Sequence, residues 1–471
     1  MNPLNESSSK PSVAVIGGGL SGIAAATALC NRDFSVELFE ARRQLGGRAG
    51  SFVDPQSKDL IDHCQHVSMG CCTNLDDLCR RTKISDLFTT ETNLHFFGPL
   101  GQPACVTACP WLPCPLHLTG SLFGLRYLSL RERCSIGRTL LHLARQRVPD
   151  DRQTFLEWLQ QRQQSKRTID LFWAVILVSA LAEGIDQISL QAARKIFVDG
   201  FMASRDSYPL QIPNVSLSQI YHDRLLPWLE SQDVRIHLNT PVYQITGNRQ
   251  GISGLWLQDR SQRQFDFYVL AVPWRQVANV CTVELTRSMP GLKHLEQFRS
   301  APITGVHLWF DRPITALRHA VMVGHLSQWL FNRGIHNAQS GHYYQVVISG
   351  SRHLAQRQHP EIIKEVRTDL EAMFPEARQA KLLRSKLVTD QHAVFVTPPG
   401  HEKFRPGQQT PIENLMLAGD WTRTGWPATM EGAVRSGYLA AEAILQENGR
   451  PERVLVDDLP RSWLARWLFV D

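Results

Sequence analysis

The sequence has 471 residues, of which 43% are hydrophobic and 20% are charged, and its formal net charge is +6. This length exceeds a single ordinary core, so we expect two domains or one interleaved pair. The charge is mild for the length, and no lysine-rich block or RNA-binding aromatic signature accompanies it, so nucleic acid is not expected as a partner.

The first eleven residues are polar and contain no apolar core. They are typical of a flexible tail rather than of a signal peptide, which makes the cytoplasm the expected location.

An apolar run at residues 13–16 leads into a glycine-rich turn that is followed by an alanine-rich helix. Gly17 permits the tight turn, Gly19 lets the backbone approach a pyrophosphate, and Gly22 lets the helix pack closely on the sheet. Leu20 ends the turn and Ser21 begins the helix, which extends to about Cys30 and whose free amides would face the phosphates. The pattern predicts a dinucleotide-binding site.

A second strand is predicted at residues 35–39, and it ends at Glu40. A carboxylate about 20 residues beyond the glycines can hold a ribose hydroxyl. The next stretch contains a second pair of glycines and two arginines that we expect near the ligand's phosphates. It supplies further cofactor-binding candidates: Ala41, Arg42, Gly46, Gly47 and Arg48.

Gln65 and His66 are the candidate catalytic residues, because they follow the predicted cofactor wall closely in the sequence. A histidine can transfer a proton near neutral pH, although a histidine beside an apolar stretch is more often structural. Asp62 either orients His66 or caps a turn. Both alternatives are open from the sequence alone.

Eight of the ten cysteines fall between Cys64 and Cys134. None of them forms a C-x-x-C pair, and no matching downstream pair of ligands is evident. We therefore predict reduced, mostly buried thiols and no metal site.

Helices are expected over residues 116–147, where apolar and arginine positions interleave. Such a helix pair either has a solvated basic face or rests on anionic lipid. The apolar run at residues 171–182 is too short to span a bilayer and predicts a buried helix.

Short apolar runs at 234–245, 251–257 and 267–274 predict the strands of a meander. Further strands are expected at 304–310 and 343–349, then a helix at 360–374, and together they would cover a substrate cavity. No catalytic residue can be assigned there. The tail at 462–470 contains two tryptophans and a single charge, so it either packs on the body or enters a membrane interface.

The two glycine motifs, Glu40 and the C-terminal stretch 415–437 together resemble the flavin amine oxidase and phytoene desaturase superfamily. The resemblance implies FAD as the cofactor and a backbone contact from Val242 to its adenine. An apolar strand ending at Gly419 would deliver Asp420 to a ribityl hydroxyl. The helix that begins near Ala428, Thr429 and Met430 would aim its free amides at the flavin.

The segment from Asp62 to His66 is similar to the Asp-x-Gly-Gln-His segment of hydroxysqualene dehydroxylases, squalene-associated flavoproteins of hopanoid synthesis, with Cys64 in place of the glycine. Residues 172–182 and 192–201 resemble the substrate-domain helices of that family, whereas 182–185 departs from its usual turn. The resemblance implies reductive dehydroxylation of hydroxysqualene to squalene, a hydrophobic isoprenoid substrate and squalene-pathway enzymes as partners. The reaction needs an acid, and we assign this role to His66. Peripheral contact with the cytoplasmic membrane is the expectation that follows from the basic helices at 116–147 and the tail at 462–470.

The expected fold is α/β, a Rossmann-like FAD-binding domain interleaved with a mixed-sheet and helical substrate domain. We place the FAD domain at 12–95, 229–297 and 406–448, the substrate domain at 96–228 and 298–405, and a tail at 449–471. Three alternatives remain for the activity: a carotenoid or phytoene-type desaturase, a flavin amine oxidase, and a non-catalytic FAD-binding partner of isoprenoid synthases.

Overall fold

The structure is a computed structural model that describes residues 10–147, 152–335 and 341–470, so most of the polar tail predicted at the N-terminus lies outside the described residues. A parallel sheet is assembled from strands that are far apart in the sequence. Every pairing within it is parallel. Its strands follow the order Arg235–His237, Ser35–Phe39, Ser12–Ile16, Phe267–Leu270 and Leu415–Leu417. The strand that leads into the glycine turn is therefore the central one, as a Rossmann-like fold requires.

The predicted meander is wrong in part. Arg235–His237 pairs with Ser35–Phe39, and Phe267–Leu270 pairs with Ser12–Ile16, both within the parallel sheet. The separate antiparallel sheet contains only Val242–Asn248, Gly251–Leu257 and Gln262–Arg263. Phe267–Leu270 is almost entirely buried, which is typical of a strand inside a covered parallel sheet rather than of the edge of a meander.

Helix Leu20–Leu29 is buried along its whole length between the parallel sheet and helix Met430–Glu447. The two helices touch at Gly437, where an added Cβ would lie 2.2 Å from the carbonyl oxygen of Ser21. Helices Thr73–Arg81 and Leu225–Ser231 join the same apolar layer, while Trp274–Val280 and Val283–Arg287 lie in the layer on the opposite face.

A seven-stranded mixed sheet forms the second part of the fold. In order, its strands are Leu382–Val396, Arg299–Phe310, His342–Ser349, Trp329–Ile335, His319–Met322, Leu94–Phe97 and Pro103–Val106. One face packs its aliphatic side chains against helix His359–Met373, and the other face carries aromatic and polar side chains. The strands predicted at 304–310 and 343–349 and the helix at 360–374 are confirmed.

The helical part covers one end of this sheet. Its segments are Leu116–Leu118, Thr119–Gly124, Leu130–Arg145, Phe155–Gln161, Lys166–Thr168, Ile169–Trp173, Ala174–Leu181, Leu190–Arg194 and Lys195–Met202. The helices predicted at 116–147 and 171–182 are confirmed, although the second begins as a π-helical turn at Ile169–Trp173. No helix within the described ranges is long and apolar enough to cross a membrane.

Two small sheets connect these parts. One pairs Ser51–Val53 with Leu60–Asp62, and the other contains the three strands Ser68–Met69, Leu210–Pro213 and Phe88–Glu91. The remaining short helical turns are Ser85–Leu87, Gln219–Arg224, Pro290–Gln297, Ser351–Leu354, Pro375–Arg378 and Glu402–Phe404, and a terminal helix spans Trp463–Leu468. The domain boundaries given above stay a prediction.

All ten cysteines are free thiols. Five of them are buried and Cys105 and Cys134 are exposed, so burial is less general than predicted. Burial raises the pKa of Cys79 to about 12, which keeps that thiol protonated and unreactive. The residues that the structure describes contain no group of three or more histidine, cysteine or acidic side chains able to hold a metal ion.

Candidate cofactor and catalytic site

The first glycine turn has the geometry that a bound pyrophosphate requires. Gly17 has a φ of +111°, and a Cβ on Gly22 would lie 1.9 Å from the Gly17 carbonyl oxygen, so neither position accepts a side chain. Gly19 caps the helix, and Leu20 and Ser21 form its first turn. The amides of this turn have no partner within the helix and are available to an anion.

The second glycine pair packs directly against the first. The amide of Gly46 donates a 2.8 Å hydrogen bond to the carbonyl oxygen of Gly18, and a Cβ on Gly47 would lie 3.0 Å from the Cα of Gly19. The two loops therefore form one continuous wall of backbone. The sequence predicted two walls around one ligand but not their direct contact.

Glu40 lies at the end of its strand beside the glycine turn. Its carboxylate accepts hydrogen bonds from the amides of Gly18, at 2.7 Å, and Arg42, at 2.8 Å. The amide of Thr240 donates to the Glu40 carbonyl oxygen at 2.9 Å, which brings the strand that begins at Val242 close to this corner. Ala41 is exposed at the same corner. Each carboxylate oxygen retains a lone pair for a ribose hydroxyl.

Arg48 and Asp420 bring the two ends of the chain together. Their guanidinium and carboxylate lie 2.6 Å apart, and Arg48 also donates to the carbonyl oxygen of Ala393 at 3.1 Å. Burial opposes the charge of Arg48, but the attraction of Asp420 outweighs it and raises the pKa of the guanidinium. Arg42 is exposed, and its guanidinium reaches the carbonyl oxygen of Gly47 at 3.4 Å.

Arg405 supports the loop that contains Asp420, a role that the sequence did not reveal. Its buried guanidinium donates to the carbonyl oxygens of Asp420 and Trp426, each at 2.9 Å, and to that of Thr422. Glu402 neutralises it at 2.7 Å. No local pattern predicts this role, because one side chain binds three backbone groups that follow it by 15 or more residues.

The helix Met430–Glu447 begins beside this loop. The Thr429 hydroxyl accepts a hydrogen bond from the Gly432 amide at 3.2 Å and caps the helix, while Ala428 and Met430 are half-buried. The amide of Gly419 donates to the Ser436 hydroxyl at 2.8 Å, which fixes the preceding strand on the helix. The remaining amides of the first turn are free for an electron-rich ligand.

Comparison with known proteins agrees with this geometry. Residues 20–445 match the family of flavin containing amine oxidoreductases, so the chain belongs to that family. It is 28% identical to hydroxysqualene dehydroxylase of Sinorhizobium fredii, over 92% of this chain and 98% of that protein. It is 25% identical to a 15-cis-phytoene desaturase of Solanum lycopersicum, over 92% of this chain and 78% of that protein.

The fold is also that of solved oxidoreductases. Cyclohexylamine oxidase of Brevibacterium oxydans superimposes with a TM-score of 0.68 at 19% identity, covering 94% of this chain and all of that one. An oxidoreductase of Methanosarcina mazei superimposes with a TM-score of 0.68 at 15% identity, covering 92% of this chain and all of that one. The protein is therefore an FAD-dependent oxidoreductase. The touching glycine loops, where a Cβ would collide with backbone, and the free amides of two helices fit a dinucleotide with a flavin.

His66 lies half-buried just beyond the glycine wall. Its Nδ1–H donates to the carbonyl oxygen of Cys64 at 3.0 Å, and Nε2 makes no hydrogen bond to any part of the chain that the structure describes. Burial lowers the pKa of His66, so the neutral ring predominates at neutral pH. Asp62 accepts hydrogen bonds from the Ser51 hydroxyl at 2.6 Å and the Leu217 amide at 2.9 Å and also pairs with Arg333 at 3.2 Å, so it fixes the strand before His66 rather than the imidazole.

Arg333 holds the candidate catalytic segment, Gln65–His66, in place, and it too was missed by sequence reasoning. Its guanidinium donates to Oε1 of Gln65 at 2.8 Å and pairs with Asp62 at 3.2 Å. It also donates to the carbonyl oxygens of Pro213 and Val215. The Gln65 amide in turn donates to the His66 carbonyl oxygen at 3.2 Å. A buried cation thus connects the seven-stranded sheet to both predicted catalytic residues.

The surroundings of this segment are mostly apolar. Cys64 is buried in a cluster with Leu94, Tyr208, Leu210, Ile212, Phe331 and Val347, against which half-buried Val67, Met69, Ala108, Leu118, Phe201, Ile303 and Trp329 pack. His307 and Gln345 are two buried polar side chains on the facing sheet. They are paired across neighbouring strands, and burial lowers the pKa of His307 to about 3, so this ring also stays neutral.

Proposed function

We propose that the protein removes the hydroxyl group of hydroxysqualene reductively and releases squalene. The observation that carries the proposal is the Gln65–His66 segment, which Arg333 holds against an apolar cluster beside the cofactor wall. The similarity to hydroxysqualene dehydroxylase over 98% of that relative supports the same reaction.

The reaction breaks the carbon–oxygen bond of an allylic alcohol, forms a carbon–hydrogen bond and releases water. Reduced FAD, when bound, would supply the hydride. The protein must hold the uncharged chain, exclude water and protonate the departing hydroxyl. The half-buried side chains around Cys64 are suited to the first two tasks because they are apolar and lie beside His66.

His66 is the proposed acid. Its Nδ1–H is engaged by the Cys64 carbonyl oxygen, so the transferable proton would be on Nε2 of the doubly protonated ring. The carbonyl contact is compatible with that form, since both ring nitrogens then donate. Because burial lowers the pKa of His66, the doubly protonated ring is a minor species at neutral pH. The lowered pKa also makes it a stronger acid than an exposed histidine, which suits protonation of an alcohol.

A second candidate is oxidation of a polyene by a phytoene-type desaturase. It is supported by the similarity to 15-cis-phytoene desaturases, such as that of Synechococcus elongatus, at 23% identity over 94% of this chain. The two reactions use the flavin in opposite directions. They also differ in their need for an acid, because a desaturation has no leaving hydroxyl.

The test is an anaerobic comparison of substrates. Purified protein with chemically reduced FAD is mixed with hydroxysqualene, squalene or phytoene, and flavin oxidation and products are followed. Squalene formed from the alcohol is the expected result. No turnover of the alcohol overturns the proposal, and desaturation of phytoene by the oxidised protein would favour the second candidate.

A further inference from the structure

Exposed apolar side chains are concentrated in two short segments. Seven of the thirteen large apolar side chains that are exposed in the described ranges lie at 111–130 and 463–467: Trp111, Leu112, Leu116, Phe123, Leu130, Trp463 and Trp467. The exposed fractions of Trp111, Trp463 and Trp467 are 88%, 71% and 80%. Folding normally buries most of a tryptophan side chain. Three tryptophans with such large exposed fractions therefore indicate a surface that another phase or molecule covers.

The two segments adjoin each other. The Ser462 hydroxyl donates a 2.7 Å hydrogen bond to the carbonyl oxygen of Cys114, which places the start of the terminal helix on the loop that contains Trp111. On that helix Ala465 and Phe469 are buried against the helical part of the fold. Trp463 and Trp467 are four residues apart and so share the outward side. We call this area, comprising Trp111, Leu112, Leu116, Trp463 and Trp467, the tryptophan surface.

The positive charge of the protein is concentrated in the two sequence segments that form this surface. Residues 109–147 contain six arginines and one glutamate, and residues 459–471 contain two arginines and one aspartate. These two segments together carry a net charge of +6, which equals that of the whole chain, so the remainder is neutral. On helix Leu130–Arg145, Arg131, Arg138 and Arg145 recur every seven residues and are exposed on one side.

We propose that the tryptophan surface docks the protein onto an anionic lipid bilayer. Tryptophan side chains prefer the headgroup region, and the arginines around them would meet anionic headgroups. A second copy of the chain fits less well, because a self-association would bring two arginine-rich rims together. The terminal helix has six residues, so the contact is interfacial and does not cross the bilayer.

The surface is continuous with the apolar cluster beside the catalytic segment. Ala108 and Leu118, which flank the exposed loop, both pack against the cluster that contains Cys64. Phe201 packs against that cluster and also against the buried side of the terminal helix. This connection rests on the proposed function: an uncharged isoprenoid dissolved in the bilayer would enter the protein here without crossing water.

The test is co-sedimentation of the FAD-loaded protein with vesicles of phosphatidylcholine, with or without phosphatidylglycerol, in the absence of substrate. We expect binding to the anionic vesicles that weakens in high salt. Trp463→Ser combined with Trp467→Ser should reduce partitioning about tenfold or more, because two large apolar groups are removed. Arg466→Gln, at an exposed position between the two tryptophans, should reduce it about fivefold.

The matched control is Tyr243→Ser, which removes an aromatic side chain that is 69% exposed on the cofactor side of the protein and should leave partitioning unchanged. Flavin content and thermal unfolding verify that each variant is folded. Equal binding by the double tryptophan variant and the unchanged protein overturns the proposal, as does a dimer that this variant dissociates. Turnover of detergent-dissolved substrate is measured separately, so failure of the proposed function leaves the result of the vesicle test interpretable.

Discussion

The guanidinium of Arg333 donates a 2.8 Å hydrogen bond to Oε1 of Gln65, across 268 positions of the sequence. The same group pairs with Asp62 at 3.2 Å, and both partners are buried. Strand Trp329–Ile335 of the seven-stranded sheet therefore determines where the Gln65–His66 segment lies. This candidate catalytic segment belongs by sequence to one part of the fold and is positioned by another.

Arg333→Met should abolish most of the proposed activity while FAD remains bound. It also leaves Asp62 buried without its cation, so the free energy of unfolding should fall by about 3 kcal/mol. Adding Asp62→Asn removes the unpaired charge and should recover much of that stability but not the activity. Urea unfolding and turnover of both variants check this. Recovery of turnover together with stability would contradict a positioning role.

Asp420→Ala should weaken FAD binding about 10- to 100-fold, because it removes a charged partner from Arg48 and the predicted contact to the cofactor. Affinity is measured by titrating the apoprotein with FAD and following flavin fluorescence. Arg43→Gln is the matched control, since Arg43 is exposed on the loop that precedes Arg48 and is not among the cofactor-binding candidates. Equal losses in the two variants would contradict the special role of the Arg48–Asp420 pair.

Arg405→Met should destabilise the protein by about 3 kcal/mol, because it leaves three carbonyl oxygens and Glu402 without their buried donor. Thermal unfolding of the apoprotein measures the loss independently of FAD. Arg423→Gln, at an exposed position on the same loop, should change stability by about 0.5 kcal/mol or less. A similarly small change for Arg405→Met would show that the loop does not depend on it.

The proposal that His66 is the acid predicts that the reaction rate rises as the pH falls. Because burial lowers the pKa of His66 below its ordinary value, the doubly protonated ring becomes scarcer by about tenfold for each pH unit above that pKa. Single-turnover rates should therefore rise as the pH falls from 8 towards 6. His66→Gln should give a low rate that no longer depends on pH. A flat profile for the unchanged protein would remove His66 as the acid.

The lowered pKa values of three buried histidines predict that the protein loses stability in mild acid. Burial lowers the pKa of His307 to about 3 and those of His117 and His319 to about 4, whereas the unfolded chain titrates near 6.5. The unfolded state therefore binds more protons below pH 6.5, and stability is lost as the pH falls from 6.5 towards 4. Each histidine should contribute about 1 kcal/mol per pH unit in that window.

Urea unfolding at pH 7 and pH 5 measures this effect. His319→Phe is the most informative variant, because both ring nitrogens of His319 lack hydrogen-bond partners within the described residues and the stacked ring is kept. It should flatten the dependence on pH without a large loss of stability at pH 7. An unchanged slope would show that His319 is not a source of the acid sensitivity.

Local patterns in the sequence predicted most of the cofactor wall. The glycine turn, Glu40 and the Gly46–Gly47 pair are each defined within a few residues, because turns and close backbone approach depend on residue type at fixed spacing. The same holds for the capped start of helix Met430–Glu447. Their assignment as FAD contacts follows from the resemblance and stays a prediction for each individual residue.

Sheet membership and the supporting cations were beyond the reach of local patterns. Phe267–Leu270 is a short apolar run, and its length and composition do not distinguish an edge of a meander from a central parallel strand. Arg333 and Arg405 have no neighbours in sequence that mark them. Their importance comes from partners that lie far away in the sequence: Asp62 for Arg333, and the carbonyl oxygens of Asp420 and Trp426 for Arg405.

The most direct test of the account is one anaerobic turnover by protein with reduced FAD and hydroxysqualene at pH 6. Flavin oxidation is followed by absorbance, and products are extracted and quantified. We expect one squalene to form for each FAD oxidised, and His66→Gln to retain its flavin but lose the product. Flavin that stays reduced in the presence of the alcohol, or that is oxidised without squalene, would show that the protein does not catalyse the proposed reaction.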